Sequence, residues 1–198
     1  MGLVLLVRHG QASFGADDYD VLSPTGWEQA RTLGGWLTER GVAPTGVVHG
    51  SMRRHRETLE ALAEGAGWQA GPAHEQDERW DEFDHLSVVG AYPDLPEGEL
   101  DRRAFQEVFE RATERWSTGD HDADYDETYR GFRARTRAAL DAVTEQAGSG
   151  RSVVVVPSGG VVAAVGAALL LGEQADDATY AATWQRLNTV CANTSVTR

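Results

Sequence analysis

One cysteine in 198 residues leaves no partner for an internal disulfide and too few thiolates for a cysteine cage around a metal. Cys191 therefore reads as a small core residue. Positive charge is also scarce. Lys and Arg total 18 against 31 Asp and Glu, a net charge of -13, which argues against nucleic acid or an anionic membrane as partner. A phosphorylated ligand stays open, because a local arginine cluster can oppose the overall sign. No long apolar run survives intact. The longest uncharged stretch, residues 152–172, is cut by Pro157-Ser158-Gly159-Gly160 and reads as strand, turn and helix rather than a membrane span. The N-terminus has neither the basic segment nor the apolar length of a secretory signal. Leu6 stands where a myristoylation motif needs Ser or Thr. With no internal repeat, low-complexity tract or linker, the expectation is one cytoplasmic domain over residues 1–198, long enough to bury its core without staples.

What is present alternates. Leu3-Val4-Leu5-Leu6-Val7 reads as a buried strand that stops at Arg8-His9-Gly10. After a polar loop from Gln11 to Asp20, Thr25 and Glu28 stand at capping-box spacing, with Pro24 just ahead. Trp27, Ala30, Leu33 and Leu37 follow near helical spacing beside Trp36, and Gly41 is the expected terminator. Gly34 and Gly35 weaken this helix, each at about 1 kcal/mol against Ala. Thr45 to His49 reads as a second strand, and Met52 to Ala66 as a helix with Leu59 and Leu62 among its apolar positions. From about 67 to 127 the composition turns to Asp, Glu, Pro and Gly, with one helix expected from about Glu99 to Trp116 along Val108, Phe109, Ala112 and Trp116. This stretch is expected to be an insertion capping the pocket. Its acidic residues match no EF-hand or His-Glu spacing, so no metal site is expected. A helix from Glu127 to Gln146, a strand from Arg151 to Val156, a buried helix from Gly160 to Leu171, a short helix from Ala178 to Gln185 and a strand from Thr189 to Thr197 complete the chain. The pattern implies an α/β fold: a three-layer α/β/α sandwich around a mostly parallel sheet.

A buried first strand delivers Arg8 and His9 to its carboxyl end, where open α/β sheets bind ligands, on a turn that Gly10 permits. The pair suits holding a phosphoryl group with Arg8 while His9 attacks phosphorus. Arg53, Arg54 and Arg56 gather at the start of the second helix, an unfavourable place for cations unless an anion is present. Asp81, Glu82 and Asp84 crowd together, and crowded carboxylates raise one another's pKa, as a proton donor requires. The residues alone do not choose among these three.

The whole set resembles the histidine phosphatase superfamily, the phosphoglycerate mutase-like proteins. Arg8-His9-Gly10 resembles its opening. Leu22-Ser23, Gly26, Gln29 and Ala30 resemble its Leu-Thr, two residues, Gly, two residues, Gln-Ala. Gly50-Ser51-Met52-Arg53-Arg54-His55-Arg56-Glu57-Thr58 resembles its Ser-Pro-Leu, one residue, Arg-Ala, one residue, Gln-Thr, which aligns on Thr58. Trp80-Asp81-Glu82 resembles its Leu-x-Glu, and Val153 to Gly160 its late strand followed by His-Gly-Gly. The resemblance implies a nucleophilic His9, phosphate-binding Arg8 and Arg54, and a proton donor at Glu82, with Ser158, Gly159 and Gln11 as substrate contacts. Arg53 and Arg56 are left as surface residues, and His49, His55 and His85 read as ordinary polar side chains. Ser158 is the main departure, standing where the family has a second histidine that helps hold the phosphoryl group. Losing one such donor costs about a hundred- to a thousandfold, which weakens an enzyme without abolishing it.

The implied activity is hydrolysis of phosphate monoesters through a phosphohistidine, without metal or cofactor, on a phosphorylated small molecule or phosphoprotein. The alternative is a non-catalytic phosphate-binding or phosphoprotein-regulatory module. A phosphoglycerate mutase fits less well, because the tyrosine-rich substrate segment of those enzymes is not found between Glu82 and Glu127.

Overall fold

Four parallel strands end along one edge of a sheet, and each runs directly into residues singled out above. The structure, a computed structural model, describes all residues except 1, 14–18, 69–72, 97, 99 and 173, together with the side chain of Arg102. The strands are β1 (Leu3–Val7), β2 (Gly46–His49), β3 (Ala73–Gln76), β4 (Ser152–Val156) and β5 (Val196–Thr197). Their order is β3-β2-β4-β1-β5, with only β5 antiparallel. Past their carboxyl ends lie Arg8-His9, Gly50 to Thr58, Trp80-Asp81-Glu82 and Pro157-Ser158. The helices are α1 (Pro24–Glu39), α2 (Arg53–Ala66), α3 (His85–Gly90), α4 (Arg102–Thr118), α5 (Tyr129–Gln146), α6 (Gly159–Leu171) and α7 (Asp177–Val190).

Side-chain alternation along the strands builds the three layers. Leu5, Val7, Val47, Val154 and Val156 pack with Leu37 of α1 and Leu59 and Leu62 of α2. Leu6, Val48, Val153 and Val155 face the other way, into a larger core with residues of α4, α5, α6 and α7. The expected sandwich is therefore the observed one.

Several boundaries differ from expectation. Helix α1 is capped by Ser23, whose hydroxyl accepts from the Gly26 amide, with Pro24 in the first turn; the Thr25–Glu28 box is not the cap. The 67–127 stretch is more than a cover, since it supplies β3 to the sheet edge and the short helix α3 besides α4. The expected start of its helix at Glu99 lies outside the described residues. Helix α7 continues to Val190, leaving only Val196–Thr197 of the last expected strand. No helix among the described residues is long and apolar enough to cross a membrane.

Gly34, expected to weaken α1, instead lets it approach α2. A Cβ at Gly34 would lie 2.2 Å from the Leu62 carbonyl oxygen and 2.7 Å from the Ala66 nitrogen, and one at Gly65 would lie 2.0 Å from the Arg31 oxygen. Gly34→Ala will lose more to this backbone clash than it gains in helix propensity, by about 1–3 kcal/mol. Thermal unfolding will show a Tm lower by about 2–10 °C; an unchanged or higher Tm would show that the crossing is loose.

Candidate active site

The site is assembled around the turn after β1. His9 is buried, and its Nδ1–H donates to the Gly10 carbonyl at 2.7 Å, which leaves Nε2 with its lone pair. The Gly10 amide donates to Thr58 Oγ1 at 3.0 Å, and Thr58 Oγ1 donates in turn to the Arg54 carbonyl at 2.7 Å. Thr58 thus pins the β1 turn to the first turns of α2. A Cβ at Gly10 would lie 2.6 Å from the Gly26 oxygen, and one at Gly26 would lie 2.2 Å from the Gln11 oxygen, so backbone meets backbone there. Asn193 Nδ2 donates to the His9 carbonyl at 3.1 Å and secures the turn from the C-terminal side.

Burial lowers the His9 pKa well below the usual imidazole range, and His55, Arg54 and Arg8 add to the effect; hydrogen bonding to Gly10 opposes it only in part. These causes favour the neutral imidazole, with burial leading, His55 next and the guanidinium groups after it.

Two guanidinium groups flank it. Arg8 reaches the Cys191 carbonyl through Nη1 and lies against Gly159, where a Cβ would fall 2.9 Å from Arg8 Nε. Arg54 is buried, donates from Nη1 to Asp20 Oδ1 at 2.7 Å, and brings Nη2 within 3.5 Å of Ser158 Oγ. Asp20 also accepts from the Arg53 amide at 2.8 Å and so caps α2 from the polar loop. The Nε atoms of both Arg8 and Arg54 are buried without a hydrogen-bond partner among the described residues.

Glu82 enters from the far side of the sheet edge. Its neighbours Trp80 and Phe83 are sunk among Trp116, Phe132 and Trp184, with Phe83 stacked on Trp116 at a centroid distance of 4.6 Å. That aromatic anchor fixes the carboxyl over the start of α6, where Oε2 accepts from the Gly160 amide at 3.0 Å. A Cβ at Gly160 would lie 2.2 Å from Glu82 Oε1, so the glycine makes the space. Burial raises the Glu82 pKa above the usual carboxyl range, against the pull of Gly160, Arg54, Phe83 and Arg8. The direction matches expectation; the cause is desolvation rather than crowding by Asp81 and Asp84.

Arg8, His9, Arg54, Glu82, Ser158 and Gly159 therefore meet at one edge of the sheet. Gln11 does not join them: its side-chain oxygen accepts from Ser23 Oγ at 3.0 Å, its carbonyl accepts from the Ser23 amide, and its own amide donates to Gln29. It braces the entry to α1. The Gly160 amide, at the start of α6, is taken by Glu82. Two further side chains belong to the cluster, Asp20 and His55. The imidazole of His55 is fully buried, with Nε2 2.8 Å from Ser158 Oγ and its ring centroid 5.6 Å from that of His9. Arginines at a helix start were a signal for an acidic partner such as Asp20, whereas nothing in the spacing marks His55. No group of three or more His, Cys, Asp or Glu able to hold a metal occurs among the described residues.

Comparison with solved structures gives the same architecture. A mycobacterial glucosyl-3-phosphoglycerate phosphatase in complex with VO3 matches with 24% identity over 92% of this chain and 85% of that one, at a TM-score of 0.63. A phosphoglycerate mutase from Bacillus anthracis matches with 20% identity over 87% and 81%, at 0.57. The putative phosphohistidine phosphatase SixA from Agrobacterium tumefaciens matches with 14% identity over 98% and 88%, at 0.54. No curated protein matches significantly. The family comparison spans residues 4–198, nearly the whole chain, and by it this protein belongs to the histidine phosphatase superfamily, branch 1.

Proposed function

We propose that this protein is a phosphatase that hydrolyses phosphate monoesters through a phosphohistidine at His9. The observation that carries the reading is the pairing of a neutral imidazole, its Nε2 free, with two guanidinium groups whose Nε atoms are buried and unpartnered. A buried donor left unsatisfied costs about 1–3 kcal/mol, and a phosphoryl oxygen is the acceptor such donors match best.

Nε2 of His9 attacks phosphorus as the ester P–O bond breaks, and Arg8 and Arg54 neutralise the equatorial oxygens. Glu82 gives its proton to the departing oxygen. Its carboxylate then takes a proton from water, whose oxygen attacks phosphorus, breaks the N–P bond and restores His9 and protonated Glu82. Every charge needed is on the chain itself. The 67–127 stretch, with α3 and α4, is the cover that selects the ester, a phosphorylated small molecule or a phosphoprotein.

The test is turnover of p-nitrophenyl phosphate together with trapping of an acid-labile, alkali-stable phosphate on His9. Both are expected. A protein that binds vanadate yet forms no phosphohistidine and turns nothing over would be the binding module instead. Glu82→Gln carries a further expectation. A lowered His9 pKa places the acid limb of the rate profile at low pH, and activity then falls as pH rises through the raised Glu82 pKa. Glu82→Gln will lower kcat for an alkyl phosphate about 10²- to 10⁴-fold and remove the alkaline limb. p-Nitrophenyl phosphate, whose leaving group needs little help, will lose much less. Equal losses on both substrates would remove Glu82 from the acid role.

A further inference from the structure

Ser158 is the N-cap of α6, yet its hydroxyl makes no capping hydrogen bond. It sits completely buried, 2.8 Å from His55 Nε2 and 3.5 Å from Arg54 Nη2. The other nitrogen of His55, Nδ1, faces Asp81 Oδ1 at 3.5 Å. Asp81 is held in turn by Ser51, whose amide donates to Oδ1 at 2.6 Å and whose hydroxyl donates to Oδ2. Room for the pair comes from Gly50: a Cβ there would fall 2.2 Å from His55 Nδ1 and 2.3 Å from Asp81 Oδ1. Gly50, Ser51, His55 and Ser158 stand where the family motifs quoted above have Ser, Pro, Ala and His. A proline has no amide to give Asp81, and a side chain at 50 would displace the imidazole. Four departures, three within one short segment and the fourth after β4, thus meet around one buried imidazole, which is hydrogen-bonded to Ser158 on one side and within ion-pair range of Asp81 on the other.

We infer that Asp81, His55 and Ser158 act as a relay in which the Ser158 hydroxyl, backed by the imidazole of His55 on α2, presents to the phosphoryl group the donor that a histidine at 158 would present directly. The inference rests on the phosphatase reading above. The Asp81 carboxylate 3.5 Å from Nδ1 favours the proton there, and on that tautomer Nε2 accepts the Ser158 hydroxyl proton in the free protein. When a phosphoryl oxygen takes that hydroxyl as its donor, Nε2 binds a proton from solvent and donates to Oγ. The groups facing His55 set the balance of this uptake. Burial and Arg54 of α2 oppose it, while Asp81 and Asp20 favour it, and His9 beside it is neutral. His55 is a positioning residue, acting through Ser158.

The test compares wild type with His55→Ala, Ser158→His and His55→Ala/Ser158→His, measuring kcat and KM for p-nitrophenyl phosphate. His55→Ala will lower kcat about a hundredfold, because the Ser158 hydroxyl loses the imidazole that holds it as a transition-state donor. The double variant will recover to within about tenfold of wild type, because the imidazole returns from the other side. Ser158→His alone will be slower than the double variant, since two imidazoles contest one space. A His55→Ala protein with more than half the wild-type kcat, or a double variant no faster than His55→Ala, would overturn the relay. If His55→Ala fails to fold, Asp81→Asn and His55→Gln decide: the first is expected to lose about tenfold in kcat and the second to retain intermediate activity. Both at wild-type rate would also overturn it. Wild-type protein that forms no phosphohistidine and shows no turnover would sink the phosphatase reading itself, an outcome distinct from an active wild type indifferent to His55.

Discussion

His9→Ala will abolish turnover, with kcat falling about 10⁴- to 10⁶-fold, as when a covalent nucleophile is removed elsewhere. Among the described residues its only side-chain hydrogen bond goes to the adjacent Gly10 carbonyl, so its loss leaves the turn held by Thr58, Asn193 and the Pro157 carbonyl. The protein will fold and, with Arg8 and Arg54 in place, still bind vanadate. His55 cannot step in, since its Nε2 is committed to Ser158 and its ring centroid lies 5.6 Å from that of His9. Steady-state rates, vanadate titration and the phosphohistidine trap on one preparation check all three statements. Retention of more than about one per cent of the wild-type kcat, against the loss expected on removing a nucleophile, would assign the chemistry to another group.

Arg54→Ala has the second largest expected effect and a different signature. A guanidinium on the transferring phosphoryl is worth about 10³ to 10⁵ in kcat. Arg54 is buried, and although Nη1 pairs with Asp20, its Nε has no hydrogen-bond partner among the described residues and is left for a phosphoryl oxygen. Removing it also takes from Asp20 the guanidinium it pairs with at 2.7 Å. Vanadate affinity will therefore collapse together with kcat, whereas in His9→Ala it survives. Arg54→Lys will recover little, because one ammonium cannot bond Asp20, Ser158 and a phosphoryl oxygen from a planar fork. An Arg54→Ala protein that binds vanadate as wild type does would place the anion elsewhere.

The elements that carry the reacting groups were the legible ones. Leu3–Val7 and Ser152–Val156 are interior strands whose apolar runs have no other reading, and the helix starting at Arg53 shows both its periodicity and its misplaced cations. What stayed hidden lacks an apolar signature. Strand β3, Ala73–Gln76, is exposed at every residue and is held by main-chain pairing to β2, a contact that no pattern of side chains records. Helix α3 has six residues, too few to show a period. In the site, Arg8, His9, Arg54 and Glu82 are reached by motif, and the structure brings them together. His55 escaped because a histidine among arginines at a helix start looks like a polar surface residue. Its meaning appears only when β4 is laid beside β2 and Ser158 comes within reach. Gln11 erred the other way, as proximity in sequence to His9 stood in for proximity to the ligand.

The turn bearing His9 rests directly on the first turn of α1, with Gly10 and Gly26 leaving no side chain between the two backbones. A contact of that kind has no intermediate settings: any added carbon pushes the turn bearing His9 off its mark. On the proposed phosphatase reading, diversification toward new esters is thereby channelled away from the wall behind the imidazole. Libraries seeking altered selectivity should leave positions 10 and 26 untouched and draw their variation from α3 and α4.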